Sequence, residues 1–280
     1  MRVDHHSIIG QAHVEQGMPC QDSADSGLFI DGRAFAAVAD GCSSVRGNTD
    51  VGSRQIVAAY RDLVARDPRL VDGSGAAFGQ RLRERFRALR VTANPWDYYT
   101  TLVGVVAQPQ RLRFYIAGDG AFAVAYADGT VELTSVLWYR NAPYYLAIRD
   151  DAKMDALVRE IYEPLPDGPV QETTLRYRAH DGAVDVVTRH ERWCPLAEFE
   201  LGKMYDVPRD AIPVVAAAVM TDGVADVGYA PSYEIVAELM RFDEAPAAGF
   251  VREQVASVVR RHGARGEHAM DDLSMAAILL

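Results

Sequence analysis

The chain has 280 residues, which fits one large domain or two small ones, and 49% of them are hydrophobic, enough to bury a substantial core. Its formal net charge of -10, without any block of lysine or arginine, argues against binding nucleic acid through the general surface field. No apolar run approaches the roughly 20 residues that a membrane-spanning helix needs, so we expect no membrane association.

The N-terminus and the cysteines indicate the compartment. Residues 1–10 contain charged side chains and no long apolar core, so they do not resemble a secretory signal. Cys20, Cys42 and Cys194 form an odd, sparse set, which is typical of a reducing compartment without structural disulfides. We therefore expect a cytoplasmic protein, with a monomer as the simplest assembly.

The first third of the chain predicts a hairpin followed by two helices. Apolar runs at residues 28–30 and 34–39 flank an Asp-Gly turn. Capping side chains at residues 48–50 begin an amphipathic helix that ends near Arg66, and a second helix covers residues 76–90. Two consecutive amphipathic helices need one apolar surface to cover.

That surface is predicted to be the sheet formed next. Strand-like runs separated by turns indicate a meander, at residues 100–107, 112–117, 122–127 and 131–138. The pattern weakens over residues 139–213, where we expect an excursion with small strands and a helix of its own. A hairpin near residues 178–182 belongs to it.

The last part of the chain returns to regular patterns. It predicts a buried strand at residues 214–220, helices at 232–242 and 246–262, and a final strand at 273–280. The chain therefore predicts one α+β domain over residues 1–280, with two helices before the meander and two after it.

Aspartates recur where apolar, strand-like runs begin or end. They are Asp22, Asp40, Asp119, Asp222 and Asp271. From such positions a carboxylate can leave the core and face a common edge, although each aspartate taken alone could simply occupy a turn. Carboxylates gathered so densely would repel one another unless cations neutralised them, and oxygen-rich sites suit magnesium or manganese.

The order of these motifs along the chain resembles that of the metal-dependent protein phosphatases of the 2C type, including their bacterial members. The resemblance covers residues 7–135 and 214–280 and is poor between them. It implies a four-layer α-β-β-α sandwich, in which helix pairs flank two antiparallel sheets. Residues 139–213 would then form a variable, flap-like excursion.

The resemblance also implies a metal site that holds two or three Mg²⁺ or Mn²⁺ ions. Asp40 would bridge two ions, the carbonyl of Gly41 would add a ligand, and Asp222 and Asp271 would complete the set. Asp119, together with Asp222, would hold a third and weaker ion.

The implied catalytic residues are Asp22, Asp40 and Asp222. Asp22 matches the acidic residue of the first motif, which acts on the water that the metals bind. Asp271 matches the aspartate of the last motif, where the family usually has an asparagine next. Because that next residue is Asp272 here, Asp272 stays an alternative ligand.

The chain departs from the family pattern in its groups for binding the substrate phosphate. Many relatives place an arginine upstream of the first motif, but residues 8–20 contain none. His13 and Arg46 are the predicted substrate-binding residues instead, although His13 could equally be an ordinary loop histidine. The usual glutamate before Asp22 is Gln21, which removes one negative charge from the surroundings of the site.

Phosphate-monoester hydrolysis is extremely slow without a catalyst, and a pair of divalent ions can supply both a nucleophile and charge neutralisation. The resemblance implies a phosphatase acting on phosphoserine and phosphothreonine, with phosphorylated proteins as substrates and a cognate kinase as counterpart. Two alternatives stay open, a catalytically weak sensor of the same fold and a phosphoesterase acting on small molecules. Because pseudoenzymes usually lose core aspartates and this chain retains them, the enzyme is favoured.

Overall fold

Twelve strands form two stacked antiparallel sheets in the computed structural model, which describes residues 1–42, 48–180, 183–209, 212–227, 232–242 and 248–280. The strands are β1 (Arg2–Ile8), β2 (Ser23–Leu28), β3 (Ala34–Ala39), β4 (Leu102–Ala107), β5 (Arg111–Ala117), β6 (Gly120–Tyr126), β7 (Thr130–Trp138), β8 (Val170–His180), β9 (Ala183–Cys194), β10 (Lys203–Pro208), β11 (Val214–Met220) and β12 (Leu273–Leu279). One sheet has seven strands in the order β1-β12-β11-β6-β7-β8-β9, and the other has five in the order β10-β5-β4-β3-β2.

The described residues form helices as well as strands, and four of the helices cover the outer faces of the sheets. The α-helices are α1 (Gln11–Gln16), α2 (Thr49–Arg66), α3 (Pro68–Val71), α4 (Gly75–Ala88), α5 (Ala152–Tyr162), α6 (Ser232–Leu239) and α7 (Phe250–Gly263). The pair α2 and α4 packs on the five-stranded sheet, whereas α6 and α7 pack on the seven-stranded sheet. The predicted α-β-β-α sandwich is therefore confirmed.

The core follows from the apolar pattern of the strands. β3 is buried at all six of its positions because one face packs against α2 and the other faces the second sheet. Between the sheets, the rings of Phe114 and Phe122 stack with their centroids 4.1 Å apart. The buried side chains Ile56 and Tyr60 lie on one face of α2, as its helical periodicity predicts.

The predicted meander is wrong in one respect. β4 and β5 pair within the five-stranded sheet, whereas β6 and β7 belong to the seven-stranded sheet. The chain therefore crosses between the sheets at Gly118 and Asp119 instead of making a hairpin turn. Gly118 has a φ of 86°, and its carbonyl accepts a hydrogen bond of 2.9 Å from the indole of Trp138. This crossing carries Asp119 to the edge of the sandwich.

Residues 139–213 contain strands and a helix of their own, as predicted, and the strands join the two sheets. β8 and β9 extend the seven-stranded sheet beyond β7, and β10 extends the five-stranded sheet beyond β5. The hairpin predicted near residues 178–182 is confirmed, although its turn residues 181–182 lie outside the described residues. The excursion therefore widens the sandwich.

The sequence patterns did not reveal the two N-terminal elements β1 and α1. β1 pairs with β12 along its whole length, from Arg2 opposite Leu279 to Ile8 opposite Leu273. No helix in the described part of the chain is both long and apolar enough to cross a membrane.

Candidate metal centre

The register of the strands brings the predicted site residues to one edge of the sandwich. Ser23 of β2 pairs with Ala39 of β3, so Asp22 and Asp40 are the next residues beyond that pair. In the other sheet, Met220 of β11 pairs with Met275 of β12. Asp222 therefore lies just after the end of β11, and Asp271 lies just before the start of the neighbouring strand β12. Asp119 reaches the same edge from the crossing between the sheets.

Asp22 and Asp40 interact directly. Their carboxyl groups lie within hydrogen-bonding distance of each other. Asp22 is 8% exposed, and its Oδ2 accepts a 2.8 Å hydrogen bond from the hydroxyl of Thr221. Two carboxylates this close repel each other unless a proton or a cation lies between them.

Burial and mutual repulsion raise the pKa values of the cluster. Burial raises the pKa of Asp22 to about 8 and that of Asp222 to about 6, and the charges of neighbouring carboxylates add to both shifts. The pKa values of Asp40 and Asp119 are well above the usual range because both groups are buried and face other acids, including Asp222. A buried set of oxygen ligands that resist ionisation together fits hard divalent cations such as Mg²⁺ or Mn²⁺.

Asp271 stands at the more exposed side of this cluster, with its side chain 36% exposed. Its charge raises the pKa of Asp222 and, after burial, that of Asp226. Asp226 was not singled out from the sequence because it does not end a strand. It adds one more carboxylate beside the predicted ligands.

Asp272 has a different role from Asp271. Its Oδ1 accepts a 2.7 Å hydrogen bond from the backbone N–H of Gly10. The same oxygen lies 2.9 Å from Nδ1 of His13. Its Oδ2 accepts a hydrogen bond from the backbone N–H of Gln21 at 2.5 Å. Because both oxygens are engaged within the protein, Asp272 stabilises the site, and Asp271 is the better candidate ligand.

His13 lies on α1 and is 5% exposed. With Nδ1 held against Asp272, its Nε2 lies 4.0 Å from Asp271. His13, Asp271 and Asp272 are the one group of three within the described ranges whose potential ligand atoms all lie within 4.8 Å of one another. The larger set of aspartates is more widely spaced, as expected for ions that also retain water ligands.

A cavity opens beside His13. It has a volume of about 360 Å³, and the side chains of Met18, Asp226 and Asp271 also line it. The other predicted substrate-binding residue, Arg46, lies outside the described residues. His13, Asp226 and Asp271 thus line one open cavity.

Two threonines hold the backbone of Asp40 in place. The hydroxyl of Thr100 donates a 2.6 Å hydrogen bond to the Asp40 carbonyl, and the Asp40 N–H donates to the hydroxyl of Thr101 at 3.1 Å. At Gly41 a Cβ would lie 2.7 Å from the carbonyl oxygen of Thr49, so a larger residue would push α2 away. The predicted carbonyl ligand thus sits on a constrained segment of backbone.

Tyr145 is a site neighbour that sequence reasoning missed. It is 8% exposed, its side chain is hydrogen-bonded to that of Cys42, and Asp40 and Asp119 are among its charged neighbours. Burial, reinforced by these groups, raises the pKa of Tyr145 well above its ordinary value. Since Tyr145 belongs to the excursion, where no motif was visible, only the tertiary structure reveals this contact.

Comparison with known proteins agrees with this arrangement. The family model described as protein phosphatase 2C matches residues 9–272. The chain belongs to the protein phosphatase 2C family. A search of curated protein sequences finds no match.

Solved structures of serine/threonine phosphatases share the fold at low sequence identity. The catalytic domain of the serine/threonine protein phosphatase PstP, solved in complex with two manganese ions, is 17% identical, with 99% of this chain and 96% of that chain covered and a TM-score of 0.52. The serine/threonine phosphatase of S. agalactiae is 14% identical, with 100% of this chain and 99% of that chain covered and a TM-score of 0.52. Stp1 from Staphylococcus aureus is 9% identical, with 99% and 94% covered and a TM-score of 0.52.

Proposed function

We propose that this protein is a divalent-metal-dependent phosphatase that hydrolyses phosphoserine and phosphothreonine in proteins. The observation that carries the proposal is the cluster formed by Asp22, Asp40, Asp119 and Asp222, whose pKa values are raised by burial and by one another. A fold has no structural reason to bury such a cluster, because its repulsion destabilises the protein until cations neutralise it.

Asp40, the carbonyl of Gly41, Asp222 and Asp271 are the residues that would hold two Mg²⁺ or Mn²⁺ ions, and Asp119 would help to hold a third. When bound, such ions lower the pKa of water and neutralise the phosphoryl oxygens. Membership in the protein phosphatase 2C family and the two manganese ions of PstP support this assignment.

The chain's own residues position the reacting groups. The Thr221 hydroxyl orients Asp22, so its carboxylate can accept a proton from the attacking water once cations separate it from Asp40. Asp272 fixes the ring of His13, and Nε2 is then the nitrogen available to the substrate phosphate. Arg46 is a second proposed phosphate ligand.

Phosphorylated proteins are the proposed substrates, and a serine/threonine kinase is the proposed counterpart. None of the three cysteines forms a disulfide within the described residues, which supports a reducing compartment such as the cytoplasm.

Hydrolysis of p-nitrophenyl phosphate with Mn²⁺ tests the proposal. We expect a chelator to abolish turnover. We expect Asp40→Asn and Asp222→Asn each to reduce turnover about a hundredfold or more. Metal-independent turnover, or full activity in both variants, would contradict the mechanism. Metal binding without turnover would favour a sensor, and turnover of small phosphoesters without any phosphopeptide activity would favour a small-molecule phosphoesterase.

A further inference from the structure

A second, apolar cavity lies beside the predicted metal ligands. It lies between β6, β7 and α6, and its volume is about 60 Å³. Leu133, Val224 and Val236, which are 2%, 3% and 0% exposed, form its wall, and Asp222 lies at its edge. If a substrate binds with its phosphate at Asp222, the part of the substrate next to the phosphate therefore lies beside this cavity.

The size of the cavity restricts its occupant. Pockets for whole small-molecule ligands have volumes of about 300–1,000 Å³, and a cavity of about 150 Å³ is needed for a benzene molecule. The volume here accommodates one aliphatic side chain, and the apolar wall excludes a charged one.

A row of three paired residues, with an exposed apolar side chain at each end and the polar Gln171 between them, continues from this cavity. Leu137 of β7 lines the cavity and is 44% exposed. It pairs with Gln171 of β8, which pairs in turn with Trp193 of β9, also 44% exposed. Directly paired residues point to the same face of a sheet, so Leu137 and Trp193 lie on one face about 10 Å apart.

We propose that this cavity and row bind the polypeptide next to the phosphorylated residue, with an aliphatic side chain of the substrate in the cavity. The inference rests on the proposed phosphatase function and adds a substrate preference to it. An extended peptide spans about 10 Å in three residues, so a segment that enters the cavity also reaches Trp193.

Two phosphothreonine peptides test this surface, identical except for valine or glycine on both sides of the phosphothreonine. Each is compared with p-nitrophenyl phosphate, which has no flanking residues. We expect the parent protein to favour the valine peptide in kcat/KM by about tenfold, the scale of one apolar side chain in a pocket. Equal values for the two peptides would overturn the inference.

The matched variants are Leu137→Asp and Val186→Asp. Both residues lie on the same face of the seven-stranded sheet, with exposures of 44% and 46%, but Val186 is paired with Tyr177 and does not line the cavity. We expect Leu137→Asp to reduce the valine preference below about twofold and Val186→Asp to retain it. Trp193→Ala gives a second measure, with a partial loss of preference. Equal loss in Leu137→Asp and Val186→Asp would contradict the proposal.

The proposed function and this inference fail in distinguishable ways. Hydrolysis of all three substrates without a valine preference overturns only the inference. If none is hydrolysed, the phosphatase proposal fails, and calorimetric titration of both peptides in the presence of Mn²⁺ tests the surface separately. Tighter binding of the valine peptide, lost in Leu137→Asp, would support the surface, and equal affinities would overturn it.

Discussion

Two clusters of buried acids in this protein have opposite electrostatics. At the candidate metal centre, Asp22 and Asp40 face other carboxylates, and their pKa values are raised. Where the excursion joins both sheets, Glu172 of β8 lies 2.6 Å from Lys203 Nζ and accepts a 2.7 Å hydrogen bond from the Tyr205 hydroxyl. Burial alone would raise the pKa of Glu172, yet hydrogen bonds, from Arg192 among others, hold it below its ordinary value.

The difference shows where each acid obtains its counter-charge. The partners of Glu172 are part of the chain, so this cluster is complete when the protein folds. The partners of the aspartates have to come from solution. A buried acid to which the chain supplies no counter-charge therefore indicates a binding site. A buried acid that the chain itself neutralises indicates a structural role.

The largest effect is expected for Asp40→Asn. It removes a proposed ligand and should reduce Mn²⁺-dependent hydrolysis of p-nitrophenyl phosphate about a hundredfold or more. In chelator at pH 8 the same variant should unfold at a higher temperature than the parent, because a buried carboxyl group that faces other acids is gone. Thermal melts and steady-state kinetics on one preparation measure both. If the variant is less stable than the parent in chelator, the Asp40 carboxylate stabilises the fold, as Glu172 does, and the contrast between the two clusters fails.

The second prediction concerns pH. The pKa of Asp22 rises from an ordinary value of 3.8 to about 8 in the folded protein, so between these values the native state binds more protons than the unfolded state. Without metal, stability should therefore fall as pH rises from about 4 to about 8. Mn²⁺ should raise the melting temperature more at pH 8 than at pH 5. A metal-free protein that becomes more stable towards pH 8 would contradict this reasoning.

Asp272→Asn should behave like a change in a structural cluster, although the residue adjoins a proposed ligand. An amide has only one acceptor oxygen, whereas the two oxygens of Asp272 accept from the backbone N–H groups of Gly10 and Gln21, and Oδ1 also lies 2.9 Å from Nδ1 of His13. We expect a loss of about 2 kcal/mol in urea unfolding without metal, as for a buried donor left unpaired. An increase in stability, as expected for Asp40→Asn, would show that Asp272 also suffers from repulsion.

The smallest effect is expected for Glu172→Gln, which is the matched acid-to-amide change in the neutralised cluster. It should cost about 1 kcal/mol in urea unfolding, because Arg192 is half exposed and can be solvated when its partner is neutral. Phosphatase activity and the response to Mn²⁺ should stay at the parent's level. Loss of metal-dependent activity would show that the two clusters are coupled.

Sequence reasoning located the aspartates because each is at or near the end of an apolar run, and runs of this kind become strands whose ends meet. It also recovered α2 and α4, whose apolar periodicity is clear. The metal-binding roles themselves stay predictions. Other parts of the site depend on contacts between segments that are distant in the sequence, and a local sequence pattern cannot predict such contacts.

Asp272 illustrates that limit. Its three partners lie on the N-terminal segment, and nothing in the local sequence distinguishes it from Asp271. Tyr145 is similar, since it reaches Asp40 and Asp119 from a stretch without visible periodicity. The assignment of β5 and β6 to different sheets also escaped prediction, because a glycine-rich junction is equally typical of a hairpin.

The pairing of β1 with β12 has a consequence for biosynthesis. Asp22 and Asp271 are encoded near opposite ends of the described chain, and ribosomes add roughly 5–20 residues per second. A nascent polypeptide thus waits roughly 10–50 s between exposing the first acid and the last. Until β12 emerges, β1 and β11 each lack a neighbouring strand, and an unfinished translation product has no complete metal centre.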